Sequence, residues 1–550
     1  MTSNRTRWLG LIFISLSVAI VIVDSTIVNV SIPSIIKDLG INSTQVQWVQ
    51  EAYTLVFAAT LLVFGTLADR YGRRRMLLLG VVVFTLASVL AAFSQSGNLL
   101  IGARVLQGLG GAMVLPTTLS IINATFRGKD RAIAFAIWGS TIGGMVAVGP
   151  LLGGWLTTYY SWRWAFGINV PIGIIIVIGV LIFVRASKAE GEVQRIDVVG
   201  AILSIIASAT LVYGLIEGRT YGWWLTNKPP QIGDWTWPFQ LSIIPISFAI
   251  TIASGVLFVV WGRYRQRQGK STMLAFALFA IPSFRNGNLA AMIVSLGEFG
   301  IILSLPIWLQ FVLGYDALQT GLILVALALG AFIASGFAGA FGNRITPVTI
   351  VRIGLLAEIA GVIGIGAVVS PSASWGPLVP FLFLYGFGVG LATAQLTGVV
   401  LKDVPIDQSG SGSGTQSTAR QIGSALGIAI LGTVLFTTAG AQLDSKLADR
   451  GVPEAQRTQI TNAVVDSAGA AIIGLEANPA TAEAATDAKA AFSEGTRYAA
   501  FAAAGFLAIG FLATLSLGSG RMTPDARRPE DDSSEADAAA PTAQDGPPTP

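Results

Sequence analysis

The chain has 550 residues, of which 53% are hydrophobic and only 12% charged, and its formal net charge is +4. Soluble domains carry about 25% charged residues, so this composition excludes a chain built from soluble domains. The basic residues lie between apolar blocks and do not form one face, which argues against nucleic-acid binding. The sequence has no cysteine and no histidine, so any proton transfer must use carboxylates.

The apolar residues fall into blocks of about 20, the length of helix that crosses the hydrocarbon core of a bilayer. Each block is predicted to be helical, because an isolated strand cannot satisfy its backbone in lipid. The first block has no small-residue cleavage site and is predicted to be a retained span. The fold class is therefore all-α and polytopic, with fourteen transmembrane helices near 8–32, 47–68, 76–95, 98–122, 132–157, 164–184, 198–217, 241–262, 288–313, 320–341, 348–369, 377–400, 416–438 and 499–518.

The lysines and arginines alternate from one connecting segment to the next. With the N-terminus in the cytoplasm, the inner segments hold 24 of the 34 basic residues and the outer segments hold nine, while Arg104 lies within a span. An excess of basic residues marks cytoplasmic loops. We therefore expect both termini in the cytoplasm and a multi-pass protein of a bacterial cytoplasmic membrane.

Three segments depart from the pattern of span and short loop. Residues 218–240 carry four tryptophans, which indicate an interface anchor, with contact to a partner as the alternative. Residues 439–498 form a long, alanine-rich outer loop with helix-like stretches. Residues 519–550 are rich in proline, aspartate and alanine, and we expect a disordered cytoplasmic tail.

A faint repeat relates the turns after spans two and ten, since both place an arginine five residues after a glycine, at Gly65 and Arg70 and at Gly339 and Arg344. Parallel repeats of this kind occur in one large class of transporter. They predict a six-helix half at 1–190, two inserted spans at 191–270 and a second six-helix half at 271–518.

The turn after span two is short, glycine-containing and charged. Asp69 is a candidate acceptor for the N-terminus of a neighbouring helix, and Arg73 is a candidate partner of Asp130. The alternative is a basic loop that only obeys the charge rule. The residues of this candidate gate motif are Gly65, Asp69, Arg70, Gly72 and Arg73.

Ionisable residues within the membrane are costly and are therefore candidates for function. At a rise of 1.5 Å per residue, Asp24 lies about 12 Å and Arg104 about 9 Å below the outer surface, so the two are predicted to face each other. A carboxylate in such a pair can exchange its partner for a proton or a cation. The alternative is an ion pair that only joins two helices.

Further carboxylates lie in other spans. Glu51 shares a polar stripe with Gln47 and Thr54, although its position near the surface also permits simple solvation. Glu298 lies near the centre of span nine and is predicted to line a cavity as a proton or cation site. Glu358 is a weaker candidate, whose alternative role is a hydrogen bond between helices.

Span five is rich in glycine, which permits close helix packing, and Pro150 predicts a bend. Its motif comprises Gly149, Pro150, Gly153 and Gly154. No nucleotide-binding lysine loop, metal-ligand spacing or catalytic constellation is present in the sequence. We therefore expect no enzyme activity, no metal and no cofactor, and an ion gradient as the energy source.

Five segments together resemble the major facilitator superfamily, and within it the fourteen-span drug:proton antiporter branch of the EmrB/QacA type. They are residues 24–33 in span one, 65–74 after span two, 104–111 in span four, 149–154 in span five and 162–171 before span six. Met145 departs from the antiporter motif, which often has glycine at this position.

The resemblance implies alternating access by two rocking halves and export of hydrophobic or cationic drugs in exchange for protons. It implies that Asp24 is a membrane-embedded acid, that Arg104 relays protons, and that Asp69 and Arg73 form a cytoplasmic latch. The partners would be a small-molecule substrate, protons and the bilayer, with any protein partner unknown. Two alternatives remain: a dedicated exporter of one metabolite, antibiotic, siderophore or lipid precursor, and a transport-inactive sensor or scaffold whose outer loop binds a partner.

Overall fold

The computed structural model describes residues 4–517 except 127, 187–196, 233–234, 271, 273, 275, 342–344 and 405–408. The predicted tail and the turn around Arg344 therefore lie outside the described residues. The described chain is almost entirely helical. Its helices are α1 (Asn4–Leu39), α2 (Ser43–Tyr71), α3 (Arg73–Ala92), α4 (Gly97–Thr125), α5 (Gly128–Tyr159), α6 (Trp164–Gly167), α7 (Asn169–Phe183), α8 (Val198–Tyr221), α9 (Ile243–Arg267), α10 (Pro282–Phe311), α11 (Ala317–Phe341), α12 (Pro347–Val368), α13 (Trp375–Leu401), α14 (Ser409–Asp449), α15 (Glu454–Asp466), α16 (Ala471–Ala477) and α17 (Ala482–Leu515).

Two smaller elements complete the description. A 3₁₀ turn covers Phe276–Ala280, and the strands β1 (Gln231–Ile232) and β2 (Trp235–Thr236) pair antiparallel between α8 and α9. The tryptophan-rich segment thus folds partly as a hairpin.

Among the described residues, twelve helical segments are long and apolar enough to cross a membrane. They correspond to twelve of the fourteen predicted spans, so the chain is a polytopic, all-helical membrane protein. The two other predicted spans fall on α2 and α5, which have 29 and 32 residues. Some side chains of α2 and α5 lie outside the described residues, and neither helix is among the twelve segments.

Short polar signals set the helix boundaries. The Asn42 side chain accepts a hydrogen bond from the Gln45 backbone N–H at 2.8 Å, and the Gln45 side chain accepts one from the Asn42 N–H, which forms a capping box. Gly72 joins α2 to α3 with a φ of 105°, a conformation that side-chain-bearing residues rarely adopt. The chain can therefore reverse direction between two helices without a loop.

Helices α1–α7, here called the first group, meet helices α10–α17, the second group, at the end of the bundle where α1 ends and α2 begins, here called the outer end. The Leu318 backbone N–H of α11 donates to the Thr158 hydroxyl of α5 at 3.0 Å. The Gln310 side chain of α10 donates to the Val30 carbonyl of α1 at 3.0 Å. The bundle is therefore closed by direct contacts at its outer end.

The inserted helix α8 lies across the line where α2 meets α14. The Trp48 indole N–H of α2 donates to the Glu217 carboxylate of α8 at 2.9 Å. An apolar cluster joins all three helices and comprises Leu55, Val212, Ile216, Ala425 and Ala429. Helix α9 exposes most of its apolar side chains, as expected for a surface that faces lipid.

The segment 439–498, predicted as a long outer loop, is helical and packed. Helix α14 continues to Asp449 and α17 begins at Ala482, with α15 and α16 between them. Alanine has the highest helix propensity, which favours this outcome. We call residues 439–498 the outer cap. It is fastened by Arg450 to Glu483 at 2.7 Å and by the Trp308 indole N–H to the Ser493 hydroxyl at 3.0 Å.

Candidate functional site

Asp24 and Arg104 form a buried ion pair, as the matching depths predicted. The Arg104 Nη1 donates to Asp24 Oδ2 at 2.5 Å, and the side chains are 2% and 0% exposed for arginine and aspartate, respectively. An ion pair with such burial must be well hydrogen-bonded, because both charges have lost their hydration.

Several neighbours supply these hydrogen bonds. The Gln107 and Asn169 amides donate to Asp24 Oδ1 at 2.9 and 2.7 Å. The Arg104 Nε donates to the Val49 carbonyl of α2 at 3.0 Å. The Arg104 guanidinium also lies 4.4 Å from the centre of the Tyr53 ring. Residues from three helices and three of the sequence motifs thus meet at one carboxylate, and α2 joins them through Arg104.

Glycines in α4 bring this arginine into place. An added Cβ at Gly110 would lie 2.7 Å from the Phe84 backbone nitrogen of α3, and one at Gly108 would lie 2.6 Å from the Tyr53 carbonyl oxygen of α2. Real Cβ atoms do not approach backbone this closely. The small residues after Arg104 therefore let α4 lie between α2 and α3.

Glu51 is fully buried, so its simple solvation, an open alternative from the sequence, is wrong. Within the described part of the chain, neither carboxylate oxygen of Glu51 has a hydrogen-bond partner. Its neighbour on the same face, Gln47, packs against α14, where a Cβ at Gly432 would lie 3.2 Å from the Gln47 amide carbon. The polar stripe of α2 thus faces the second group of helices.

A second polar cluster surrounds Glu298 of α10. Its Oε2 lies 3.9 Å from Arg420 Nη2 of α14, and its Oε1 accepts a hydrogen bond from the Thr393 hydroxyl at 3.4 Å. Arg420 Nε also donates to the Ser295 hydroxyl at 3.4 Å. These side chains lie together between α10, α13 and α14, and their further neighbours there are Ala291, Val294, Leu396 and Gln416. Glu298 therefore lies in a polar cluster, and its role as a cavity-lining proton or cation site stays a prediction.

Glu358 of α12 is fully buried. Gly388 of α13 packs on it so closely that an added Cβ would lie 2.6 Å from Glu358 Cγ. Neither of its oxygens has a hydrogen-bond partner among the described residues, so a hydrogen bond between helices does not account for its burial.

The candidate gate motif is only partly visible. Gly72 makes the turn described above, Gly65 of α2 faces Pro116 of α4, and Arg73 begins α3. The side chains of Asp69 and Arg70 lie outside the described residues. Asp130, a candidate partner of Arg73, accepts a hydrogen bond from Arg7 at 3.3 Å.

The glycine motif of α5 lies between α1 and α11. A Cβ at Gly153 would lie 2.8 Å from the Ile27 carbonyl of α1, and one at Gly149 would lie 3.2 Å from the Ile27 nitrogen. A Cβ at Gly154 would instead lie 2.9 Å from the Leu318 Cα of α11. Pro150 is inside α5 and contacts α11, since a Cβ at Gly321 would lie 3.1 Å from its carbonyl carbon. The motif therefore packs against both groups of helices.

Four residues of the two polar clusters were not predicted as site residues: Ser88, Gln107, Asn169 and Arg420. Ser88 accepts hydrogen bonds from both amides that bind Asp24. Arg420 lies near the inner end of span thirteen, so the charge pattern assigns it to the basic residues of a loop. Among the described residues, no group of three or more acidic side chains is arranged to hold a metal ion.

The buried charges, the helical bundle and the glycine-mediated packing define a polytopic membrane transporter. The sequence model of the Major Facilitator Superfamily matches residues 14–428. The chain therefore belongs to the Major Facilitator Superfamily, a family of transporters and not of enzymes.

Several relatives carry names that refer to drugs. The chain is 34% identical over 467 residues to multidrug resistance protein Stp of Mycobacterium tuberculosis, covering 84% of this chain and 82% of the relative. It is 30% identical to the multidrug efflux pump LfrA of Mycolicibacterium smegmatis, over 90% of this chain and 93% of the relative. It is also 32% identical to the puromycin resistance protein pur8 of Streptomyces alboniger, over 82% of this chain and 85% of the relative.

Solved structures agree on the fold. A bacterial homolog of the human lysosomal transporter Spinster, in an inward-facing and unoccupied conformation, matches with a TM-score of 0.63 and 18% identity, covering 95% of this chain and all of the other. An auto-inhibited peptide transporter of the POT family matches with a TM-score of 0.60 and 15% identity, covering 94% of this chain and 98% of the other.

Proposed function

We propose that this protein is a proton-coupled efflux transporter that exports hydrophobic or cationic drugs by alternating access. The carrying observation is the ion pair of Asp24 and Arg104, which is almost without solvent exposure in a chain that offers no histidine. Such a charge pair within the membrane is costly unless it serves a purpose. The names of Stp and LfrA support drugs as the substrate class.

The arrangement around Asp24 suggests how a proton would act. Arg104 stabilises the ionised carboxylate, and protonation of Asp24 would weaken this pairing. Arg104 would keep its contacts with the Val49 carbonyl, Gln107 and the rings of Tyr53 and Phe166. Protonation would thereby weaken the ionic contact between α1 and α4 while α4 stays attached to α2, which couples a chemical event to helix packing.

A second candidate is a dedicated exporter of one compound. It is favoured by relatives such as the puromycin resistance protein and the tetracenomycin C resistance and export protein of Streptomyces glaucescens, which is 28% identical over 81% of this chain and 79% of the relative. Growth inhibition across a panel of unrelated drugs, with the gene deleted and overexpressed, separates the candidates. Protection against many structural classes supports multidrug export, and protection against one supports the dedicated exporter.

The membrane arrangement is part of the proposal. We propose that α2 and α5 also cross the membrane, which gives fourteen spans, two six-helix halves at 1–190 and 271–518, and an inserted pair at 191–270. Their lengths of 29 and 32 residues exceed the roughly 20 residues that a span needs. The charge pattern supports cytoplasmic termini in a bacterial cytoplasmic membrane, with lipid, protons and a small molecule as partners.

Transport in everted vesicles tests the function. Addition of a cationic drug should dissipate an acid-interior proton gradient, and Asp24→Asn should abolish this response. Asp38→Asn is a matched control, because Asp38 forms an exposed ion pair with Arg163 at 2.5 Å, and its side chain is 46% exposed. A wild-type response from Asp24→Asn would contradict its role, and no response from the wild-type protein with any drug of the panel would contradict proton-coupled drug export.

A further inference from the structure

We propose that the segment between α8 and α9 is a lipid-binding surface, which inserts the apolar face of a short two-stranded ribbon into the leaflet of the bilayer at the outer end. The ribbon comprises residues 224–227 and 239–242, which lie between the helix ends and the hairpin of β1 and β2. The inference goes beyond the proposed function, because it concerns how the inserted pair of helices contacts the membrane surface and not how a drug or a proton moves.

Backbone hydrogen bonds pair the two segments of the ribbon as antiparallel strands. Two bonds, each of 2.9 Å, make this pairing: the Ser242 N–H to the Trp224 carbonyl and the Thr226 N–H to the Gln240 carbonyl. They place Leu225 directly opposite Leu241. Successive side chains of a strand point to opposite faces, so the pairing determines which side chains of the ribbon share a face.

One face of the ribbon is apolar and exposed. Leu225, Phe239 and Leu241 alternate onto this face, and their side chains are 68%, 61% and 48% exposed, respectively. Asn227 is the polar exception on the same face. The opposite face is more polar and carries Trp224, Thr226, Gln240 and Ser242. The ribbon is therefore amphipathic, and the rest of the described chain leaves its apolar side chains largely uncovered.

The ribbon is tied to the end of a span. The carbonyl of Tyr221, the last residue of α8, accepts the Asn227 N–H at 3.0 Å and the Ser242 hydroxyl at 3.3 Å. Ser242 is also the N-cap of α9. The preceding residue of α8, Thr220, is hydrogen-bonded to Thr44 at the start of α2. The ribbon therefore lies at the outer end of the bundle, where both inserted helices leave the bilayer.

The lipid-facing surface of α9 begins close to the ribbon. The side chains of Ile246 and Ile250 are 37% and 43% exposed. Ile246 follows Leu241 by five residues, which corresponds to about 7 Å at a helical rise of 1.5 Å per residue. The apolar face of the ribbon thus adjoins a surface that already contacts lipid. This continuity favours the leaflet as its occupant.

The chemistry of the ribbon also suits the membrane surface. None of its residues is charged. The Trp237 indole N–H donates to the Leu241 carbonyl at 2.9 Å, which satisfies a backbone group that lipid could not. Trp224, on the other face, is 74% exposed, and tryptophan is enriched where chains cross the membrane surface.

A protein partner fits this face less well. Protein interfaces surround their apolar centre with a polar rim. Within residues 222–242, as far as the structure describes them, Lys228 is the only charged residue. The face therefore offers few polar groups for a second copy of the chain or for another protein, and both become outcomes of the test.

The depth of single spin labels tests the inference. Because the chain has no cysteine, Leu225→Cys and Phe239→Cys each carry one nitroxide at a known position. Gln240→Cys, the exposed neighbour on the other face, is the matched control, and Ile252→Cys, at a side chain that is 68% exposed on α9, is the reference for lipid. Each labelled protein must keep the melting temperature of the unlabelled protein, and all are reconstituted into liposomes of phosphatidylethanolamine and phosphatidylglycerol.

The measurement compares collision of the nitroxide with oxygen, which concentrates in lipid, and with a water-soluble nickel chelate. We expect the ratio of oxygen to nickel accessibility at Leu225 and Phe239 to be several times that at Gln240 and to approach that at Ile252. If Leu225 and Phe239 are as accessible to the nickel chelate as Gln240, the ribbon stays in water and the inference is wrong. Spectral broadening that disappears on dilution with unlabelled protein would assign the face to a second copy and would equally overturn it.

Discussion

The backbone N–H of Leu318 donates to the Thr158 hydroxyl at 3.0 Å, and this bond joins α11 to α5 at the outer end of the bundle. Just below it, Gly154 of α5 packs against the backbone of α11 so tightly that a Cβ would lie 2.9 Å from Leu318 Cα. Alternating access requires that such outer contacts break and re-form in each cycle.

Because the chain has no cysteine, a pair of introduced cysteines can form only one intramolecular disulfide. We expect Thr158→Cys with Leu318→Cys to cross-link on oxidation, because the two positions are in direct contact. The disulfide should hold the outer end closed and stop drug transport, and reduction should restore it. Each single cysteine variant, oxidised in the same way, is the control. Full transport by the cross-linked protein would show that this contact does not open.

Arg104 donates from Nη1 to Asp24 and Gln107 and from Nε to the Val49 carbonyl, so two nitrogens of one planar group hold three acceptors. Lysine carries all its donors on one nitrogen and cannot donate from two separate positions. We expect Arg104→Lys to lower drug transport at least tenfold, which corresponds to about 1.4 kcal/mol.

Arg163→Lys is the control for this change. Arg163 also pairs with an aspartate, but its side chain is 36% exposed, and exposed pairs contribute about 0–1 kcal/mol. Equal activity of both lysine variants in the same vesicles would show that the geometry of the Arg104 guanidinium is unimportant.

Gly153 permits the close packing of α5 on α1. A methyl group there would meet the Ile27 carbonyl at 2.8 Å and Ile27 Cγ1 at 2.7 Å. Overpacking of this kind costs about 1–3 kcal/mol, so we expect Gly153→Ala to lower the melting temperature in detergent.

Gly255→Ala should give the opposite sign. No atom lies within 4 Å of a Cβ at this helical position, and alanine favours a helix over glycine by about 1 kcal/mol. Thermal unfolding monitored by tryptophan fluorescence compares the two. A melting temperature for Gly153→Ala equal to or above that of Gly255→Ala would contradict the packing assigned to the motif.

The outer cap is fastened to α10 by a buried hydrogen bond. The Trp308 side chain is fully buried and donates to the Ser493 hydroxyl at 3.0 Å. Trp308→Phe removes the donor, and loss of a buried hydrogen-bond partner costs about 1–3 kcal/mol. We expect earlier proteolysis within residues 439–498. Trp375→Phe changes a tryptophan that is 54% exposed and should leave cleavage unchanged. Identical cleavage of both variants would mean that this bond does not hold the cap.

The sequence predicted the membrane class, the facing of Asp24 and Arg104 and the burial of Glu298 within a span, because each depends on a strong penalty for charge in lipid. It did not predict the contacts of Gln107 and Asn169 with Asp24, since a neutral amide carries no such penalty. Asn169 is moreover 145 residues away from Asp24 in the sequence. Arg420 was not predicted because a basic residue near a span end satisfies the same charge rule as a loop residue. The packed cap was not predicted because its contacts, such as Trp308 to Ser493, join distant segments.

The position of α8 has a consequence for the route of a drug dissolved in the bilayer. Helix α8 covers the line between α2 and α14 from the lipid side. It is held there by the hydrogen bond between Thr44 and Thr220 at 3.2 Å, by that between Trp48 and Glu217, and by the apolar cluster around Leu55. Sideways access from the hydrocarbon is therefore blocked along the outer part of this line. At the line between α5 and α11 the two helices instead pack directly on each other, with Gly154 against Leu318 and Gly321 against Pro150.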